Sequence, residues 1–243
     1  MSFLNNRKVE IKTAQSFLVS FGAIFVMAFV VTVNASDEQV KTETWSPNSL
    51  SKALSSMPIG DVERGKALNQ NMMCASCHGE KGIPPTDNWP ALAGQKADYT
   101  YKTMLDYKSG LRNEDNRSQL MVTLAEVMNE QDMADIAAYY AGLPSLKVSN
   151  FKVEKNPVAE KLVRKGDKSR LITPCASCHG LYAQGGKEAS PALVGLSKKA
   201  FIRTMQLYKN GKRHNDVNQV MSQFAKKLTD EEIEQLADYY QNP

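Results

Sequence analysis

Histidine is nearly missing from this chain of 243 residues, which has only His78, His179 and His214. Cysteine is scarce too: there are four, and all of them fall in two short motifs, so no free thiol remains. An enzymatic metal centre needs a vacant or displaceable ligand with acid–base groups beside it, and the reserve for one is His214 alone. No stretch sustains the two-residue alternation of a strand, which argues against the strand–helix pattern of thiol-redox folds. Charge is absent from Thr13 to Ser36.

What is present is a pentapeptide used twice, Cys-Ala-Ser-Cys-His, at 74–78 and again at 175–179. Cys-x-x-Cys-His is the attachment signature of a c-type haem. Cys74 and Cys77, and likewise Cys175 and Cys178, are spaced to form thioethers to the two vinyl groups of one porphyrin. His78 and His179 then serve as axial ligands. Zinc or thiol-redox readings of the cysteines would leave these histidines without a role.

The motifs belong to a longer repeat. At an offset of 101, Gly65 matches Gly166, Pro90-Ala91-Leu92 matches Pro191-Ala192-Leu193, and Tyr107, Gly110, Arg112 and Asp115 match Tyr208, Gly211, Arg213 and Asp216. At an offset of 100, Met121, Ala125, Ala137, Tyr139 and Tyr140 match Met221, Ala225, Ala237, Tyr239 and Tyr240. The expected organisation is a first domain over 61–144, a linker over 145–156 and a second domain over 157–243. Residues 1–35 have a basic start, an apolar run and a small-residue Val33-Asn34-Ala35 site, and read as a secretory signal peptide. The run is also just long enough for an uncleaved anchor. Residues 36–60, with Trp45, have no counterpart in the repeat and read as an extended or loosely docked leader.

Helical periodicity dominates the rest. Asn129 is an expected N-cap, followed by Met133, Ile136, Ala137 and Tyr140 on one face. Thr229 with Glu232 has the pattern of a capping box. A middle helix is expected over 99–108 and 198–209, and a short helix before each haem motif. Each copy is under 90 residues with few large apolar side chains, so its core is marginal until a haem fills it.

The sixth iron ligand needs a donor found in both copies. His214 matches Asn113 and reads as a surface residue. Two methionine pairs recur: Met104 with Met205, and Met121 with Met221. The first pair sits at helical spacing and reads as core. The second follows polar stretches, 113–119 and 215–219, that read as loops able to place a sulfur over a macrocycle, so Met121 and Met221 are assigned as ligands. Pro90 and Pro191, each twelve residues past the histidine, are either turn prolines or carbonyl donors that orient it.

Charge is divided unevenly. Residues 36–145 hold 10 Lys+Arg against 15 Asp+Glu, and residues 146–243 hold 17 against 10, so the halves carry −5 and +7. That asymmetry is either ordinary solvated surface or a docking dipole. Export leaves the basic half little access to nucleic acid.

The stretch from Cys74 to Tyr140, with Pro90-Ala91-Leu92-Ala93-Gly94-Gln95, Tyr107-Lys108-Ser109-Gly110, Met121 and Ala137-Ala138-Tyr139-Tyr140, resembles a class I cytochrome c domain. Two such domains in tandem resemble the dihaem cytochrome c4 family. The resemblance implies an all-α fold of two cytochrome c domains, each wrapped around one covalent haem c and packed with pseudo-twofold symmetry. It implies iron ligation by His78 with Met121 and His179 with Met221, and Pro90 and Pro191 as supports of the histidines. It further implies a periplasmic one-electron carrier, not an enzyme. The donor would be a quinol-oxidising complex such as a cytochrome bc complex, and the acceptor a terminal oxidase. Rival functions are a membrane-anchored dihaem subunit of an oxidase or reductase, a dihaem peroxidase and a sulfur-compound oxidase. The block Asn113-Glu114-Asp115-Asn116, where the second copy has His214-Asn215-Asp216, departs from the shared pattern.

Overall fold

Helix caps and glycine stops written into the sequence partition this chain into short helices. The computed structural model describes residues 44–145 and 156–241. The signal peptide or anchor, the start of the leader and most of the linker lie outside them. The first copy contains α2 (Val62–Asn71), α3 (Cys74–His78), α4 (Ala97–Lys108), α5 (Asn116–Glu126) and α6 (Glu130–Gly142), preceded by α1 (Pro47–Ser55). The second copy contains α7 (Pro157–Arg164), α8 (Ala176–His179), α9 (Lys198–Lys209), α10 (Val220–Lys227) and α11 (Asp230–Gln241). Among the described residues there is no strand beyond an isolated bridge between Asp167 and Ile172.

Local chemistry sets the ends. Asn129 caps α6 by accepting from the Asp132 N–H, while Asp132 reaches back to the Asn129 N–H at 2.9 Å. Thr229 and Glu232 do the same for α11, at 2.9 and 3.1 Å. Asp115 caps α5 in a box with Ser118. Gly110 and Gly211, at φ +73° and +76°, turn the chain after α4 and α9, a left-handed conformation that a side chain disfavours.

Each copy builds its own core. In the first, α6 packs on α2 and α4, burying Met133, Ile136, Ala137 and Tyr140 against Tyr101 and Met104. In the second, α11 packs on α7 and α9, burying Ile233, Leu236, Ala237 and Tyr240 against Phe201 and Met205.

Two sequence readings are corrected. The leader is not extended throughout: Ser46 and Ser49 form a capping box, Pro47 starts α1, and Leu50 is buried. Nine residues are too few for a stable isolated helix, so α1 exists because Leu50, Leu54 and Met57 are covered. Gly65 and Gly166 are not spatial equivalents either. Gly65 lies inside α2, where a Cβ would stand 2.1 Å from the Asp135 carbonyl oxygen, whereas Gly166 is a left-handed turn residue after α7. The second copy buries Ala159, Leu162 and Val163 in α7 instead, then inserts a loop over 166–172 before its motif. Identity at a fixed offset misled here because an insertion follows a shorter helix.

Candidate functional site

The two Cys-x-x-Cys-His motifs form the short helices α3 and α8, which open onto one connected cavity. His78 and His179 end these helices and are buried. Burial pushes both imidazoles below their ordinary pKa, against the opposing pull of a backbone carbonyl. Each Nδ1 lies 2.9 Å from a proline carbonyl, Pro90 for His78 and Pro191 for His179. A carbonyl oxygen only accepts, so Nδ1 carries the proton and Nε2 keeps a free lone pair. That is the tautomer a metal requires, and the proline carbonyl fixes the ring's orientation.

The thiols point the same way. Burial raises Cys74 above the ordinary thiol value and pushes Cys175 up to about 11. These are protonated thiols, unlike the low-pKa thiolates of redox catalysts. Among the described residues no group of three or more His, Cys, Asp or Glu side chains could hold a metal ion without help from another donor.

The cavity measures about 1220 Å³ and is lined by both motifs, Met121 and Met221. A single small-ligand pocket is roughly 300–1,000 Å³, so this one exceeds a single-ligand site and suits two large apolar groups. Met121 lies within α5 and Met221 within α10, both half-buried. The loop expected before Met121 is corrected, because Asp115 caps α5 so early that 116–119 are already helical and the sulfur is presented from a helix; before Met221 the stretch 215–219 stays outside α10, of which Met221 is the second residue. Met104 and Met205 also line the cavity, though both are buried in the cores. His214 is exposed and stands away from it.

A cluster between the copies also faces this cavity. The Arg112 guanidinium lies 4.4 Å from the ring centre of Tyr107, and its repeat partner Arg213 lies 4.6 Å from that of Tyr208. Arg112 pairs with Glu114 at 2.8 Å. Arg213, only 4% exposed, makes no ion pair among the described residues and donates to Asn215 Oδ1 at 2.9 Å and to the Tyr99 hydroxyl at 3.3 Å. Burial would raise the Tyr99 pKa, but the charges of Arg213 and Arg112 outweigh it and hold it below the ordinary value. Arg203 has buried Nε and Nη1 atoms with no hydrogen-bond partner. Uncompensated guanidiniums facing a cavity call for an anionic group, and the propionates of haem are of that kind. The repeat of Arg112 and Arg213 was visible in the sequence, but that both line one cavity was not.

Thioether-spaced cysteines, ligation-ready histidines, an apolar cavity and buried cations therefore all fit haem c. Once bound, haem c supplies a one-electron ferric/ferrous couple. Further hydrogen bonds join the copies: Gln95 exchanges two with the Ala192 backbone, at 2.8 and 3.0 Å, and the Ala189 N–H donates to Asp98 at 3.0 Å. Arg112 and its repeat Arg213 line the same cavity, and Arg213 donates across the copies to Tyr99, as pseudo-twofold packing allows.

Comparisons with known proteins agree with this geometry. Residues 62–143 match the family model described as "Cytochrome c", and residues 169–239 match "Cytochrome C oxidase, cbb3-type, subunit III". Cytochrome c4 of Thiocapsa roseopersicina is 31% identical over 75% of this chain and 93% of its own length. A protein of Stutzerimonas stutzeri named "Thiosulfate dehydrogenase electron acceptor" is 28% identical over 74% of this chain and 82% of its own. The solved structure of reduced recombinant cytochrome c4 from Pseudomonas stutzeri superposes with a TM-score of 0.63 at 28% identity, covering 75% of this chain and 98% of that one. With two haem domains of one design and relatives that match along nearly their full length, the chain belongs to the dihaem cytochrome c4 family of electron-transfer proteins.

Proposed function

We propose that this cytochrome is a periplasmic one-electron carrier delivering electrons towards a terminal oxidase, with Met121 and Met221 as the sixth iron ligands and domains over 61–144 and 157–243. The observation that carries the reading is the closed design of both sites. Each buried histidine is locked by its proline carbonyl, and a helix-borne methionine lines the same cavity. A haem held by a histidine and a methionine would have no open iron position for substrate, so the chemistry it would supply is one-electron transfer. Among the described residues no helix is long and apolar enough to cross a membrane. The acceptor meets the basic second half, where Lys199 and Lys226 are exposed. A quinol-oxidising complex such as a cytochrome bc complex is the donor on this reading.

The test is reoxidation of the purified, reduced protein by membranes that contain a terminal oxidase. Cyanide-sensitive oxidation that slows as salt rises supports the reading, because complementary charge raises association rates and salt screens it. Oxidation no faster than in cyanide-treated membranes overturns it. Intact mass of the exported protein reports haem number and leader cleavage together. A second reading has a specific basis in the relative named as a thiosulfate dehydrogenase electron acceptor. It predicts reduction in a periplasmic extract on adding thiosulfate, with no quinol present.

A further inference from the structure

Residues 44–57 precede the matched cytochrome c region, which begins at 62, and have no counterpart in the second copy. They are nonetheless tied to both copies. The Trp45 indole Nε1 donates to Asp106 Oδ1 of α4 at 2.5 Å, and the Trp45 carbonyl accepts from the Asn218 N–H of the second copy at 3.0 Å. Lys102 Nζ stands 5.4 Å from the Trp45 ring centre. Asp106 is wholly buried. Its other oxygen accepts from Lys102 Nζ at 2.8 Å and from Asn215 Nδ2 of the second copy at 2.6 Å. Lys102 also donates to the Asn215 carbonyl at 2.5 Å. One carboxylate thus collects donors from the leader, from α4 and from the other domain.

The near-symmetric interface shows that this arrangement is specialised. By the repeat, Asp106 corresponds to Leu207, Lys102 to Arg203 and Asn215 to Glu114. On that related side a leucine cannot accept a hydrogen bond, and Arg203 keeps two buried nitrogens without partners. A buried carboxylate is costly unless its lone pairs are filled, so Asp106 has a use only where the leader and the second copy meet it. Beyond Trp45, Pro47, Leu50 and Leu54 of α1 line the haem cavity, and Leu54 and Met57 pack on the first core. Further on, the Ile59 carbonyl accepts from Gln131 of α6 at 2.9 Å.

We propose that residues 44–57 are an interdomain strap, anchored by Trp45 on Asp106, that holds the two haem domains in one orientation and so fixes the path of electron exchange between the haems. Trp45 and Asp106 are positioning residues and touch neither iron. The inference concerns exchange within the molecule and holds whatever the external donor or acceptor.

The test uses the mature protein with both haems attached and compares Trp45→Ala, Trp45→Phe and Asp106→Leu with the parent. Two readouts are taken: the spread of domain orientations from small-angle scattering, and the rate of inter-haem exchange from NMR linewidths at half reduction. Losing one hydrogen bond to a buried carboxylate is expected to shift the closed-to-open ratio by about tenfold or more. Trp45→Ala and Asp106→Leu should broaden the orientations and slow exchange while the haem absorption bands stay unchanged. Trp45→Phe, which keeps the ring but lacks the N–H, should fall between Trp45→Ala and the parent. The Ala and Leu changes combined should cost less than their sum, because they remove one shared contact. Exchange and scattering equal to the parent in Trp45→Ala overturn the proposal, as does strict additivity. Trp45 lies outside both haem domains, so its variants remain informative even where Asp106→Leu does not mature.

Discussion

In the first copy the helix leading to the haem motif is ten residues long and buries Gly65 and Asn69; in the second it is eight and buries Ala159, Leu162 and Val163. Asn69 acts as a polar bridge, accepting from the Tyr140 hydroxyl at 2.6 Å and donating to the Glu80 carbonyl at 3.2 Å. The second copy buries Val163 in that helix, and among the described residues the Tyr240 hydroxyl has no oxygen or nitrogen partner, only the Cys175 sulfur beside it. After α7 comes a loop that the first copy lacks, clamped by Arg170 to Asp167 at 2.9 Å and to Glu232 at 2.7 Å. The feature identical to a tenth of an ångström is the bond from histidine Nδ1 to the proline carbonyl. The two copies thus share the histidine's anchor, while the wall behind the motif is polar bridging in one and apolar packing in the other. A wall need only fill volume, whereas a ligand must meet an angle.

The largest effect should come from the irons themselves. Met121→Ala and Met221→Ala are each expected to remove about half of the near-infrared sulfur-to-iron band, since the proposed ligation gives each copy one His–Met pair, and to admit carbon monoxide at one site. Near-infrared absorption and carbon monoxide titration check this. Met104→Ala and Met205→Ala should leave the band intact and lower stability only. The reverse result would exchange the roles of the two methionine pairs.

Next is the helix approach. Gly65→Ala forces a Cβ to within 2.1 Å of the Asp135 carbonyl, and overpacking of this kind costs about 1–3 kcal/mol. The expected thermal midpoint falls by about 2–4 °C per kcal/mol for a chain of this size. Gly166→Ala, by contrast, meets strain from its positive φ as well as the Ile172 carbonyl at 2.1 Å, and should loosen only the inserted loop. Calorimetry with hydrogen exchange on α6 and α11 separates the two. Equal loss of protection in both copies from Gly65→Ala would mean that the copies unfold as one unit.

The polar bridge sharpens the contrast further. Tyr140→Phe strands the buried Asn69 and is expected to cost about 1–3 kcal/mol. Tyr240→Phe removes a hydroxyl with only a weak sulfur partner and should be nearly neutral. Chemical denaturation of the two variants decides it.

Much of this was legible from residue types. The haem motifs, the caps at Asn129 and Thr229, the apolar faces of α6 and α11 and the surface place of His214 all follow from local chemistry. Features that depend on distant partners were not legible. Trp45 stood out as a tryptophan in a polar segment, yet its partners Asp106 and Asn218 lie 61 and 173 residues away in sequence. The stretch before Met121 reads as a loop because it is polar, yet the same polar residues Asp115 and Ser118 form the capping box that starts α5. Arg112 and Arg213 were seen to repeat, but repetition does not say that they share one cavity.

The smallest expected effect concerns acid. Asp167 is held well below the usual carboxylate range, first by the Ser169 hydroxyl and then by Arg170, while Arg170 is the main cause that lowers Glu232. In the first copy burial would raise Asp135. It is outweighed chiefly by the Asp61 N–H and Gln131, with Arg64 contributing after them, and the net shift is downward. A carboxylate whose folded pKa is depressed adds stability that is full above its unfolded pKa, about 4, and is lost as the pH falls. Both copies should therefore weaken on acidification, but through different donors. Arg170→Leu removes the leading cause at Glu232, so the acid dependence of α11 should flatten, with a small loss at neutral pH because the clamp is partly exposed. Arg64→Leu leaves the Asp61 and Gln131 donors in place, so α6 should keep most of its acid dependence. Protection factors for α6 and α11 between neutral pH and about pH 3 measure this, since the carboxylates of the unfolded chain begin to titrate in that window and the loss of stability starts there. If Arg170→Leu follows the acid curve of the parent, the clamp does not couple to unfolding, and the inserted loop serves only to bridge the shorter α7 to its haem motif.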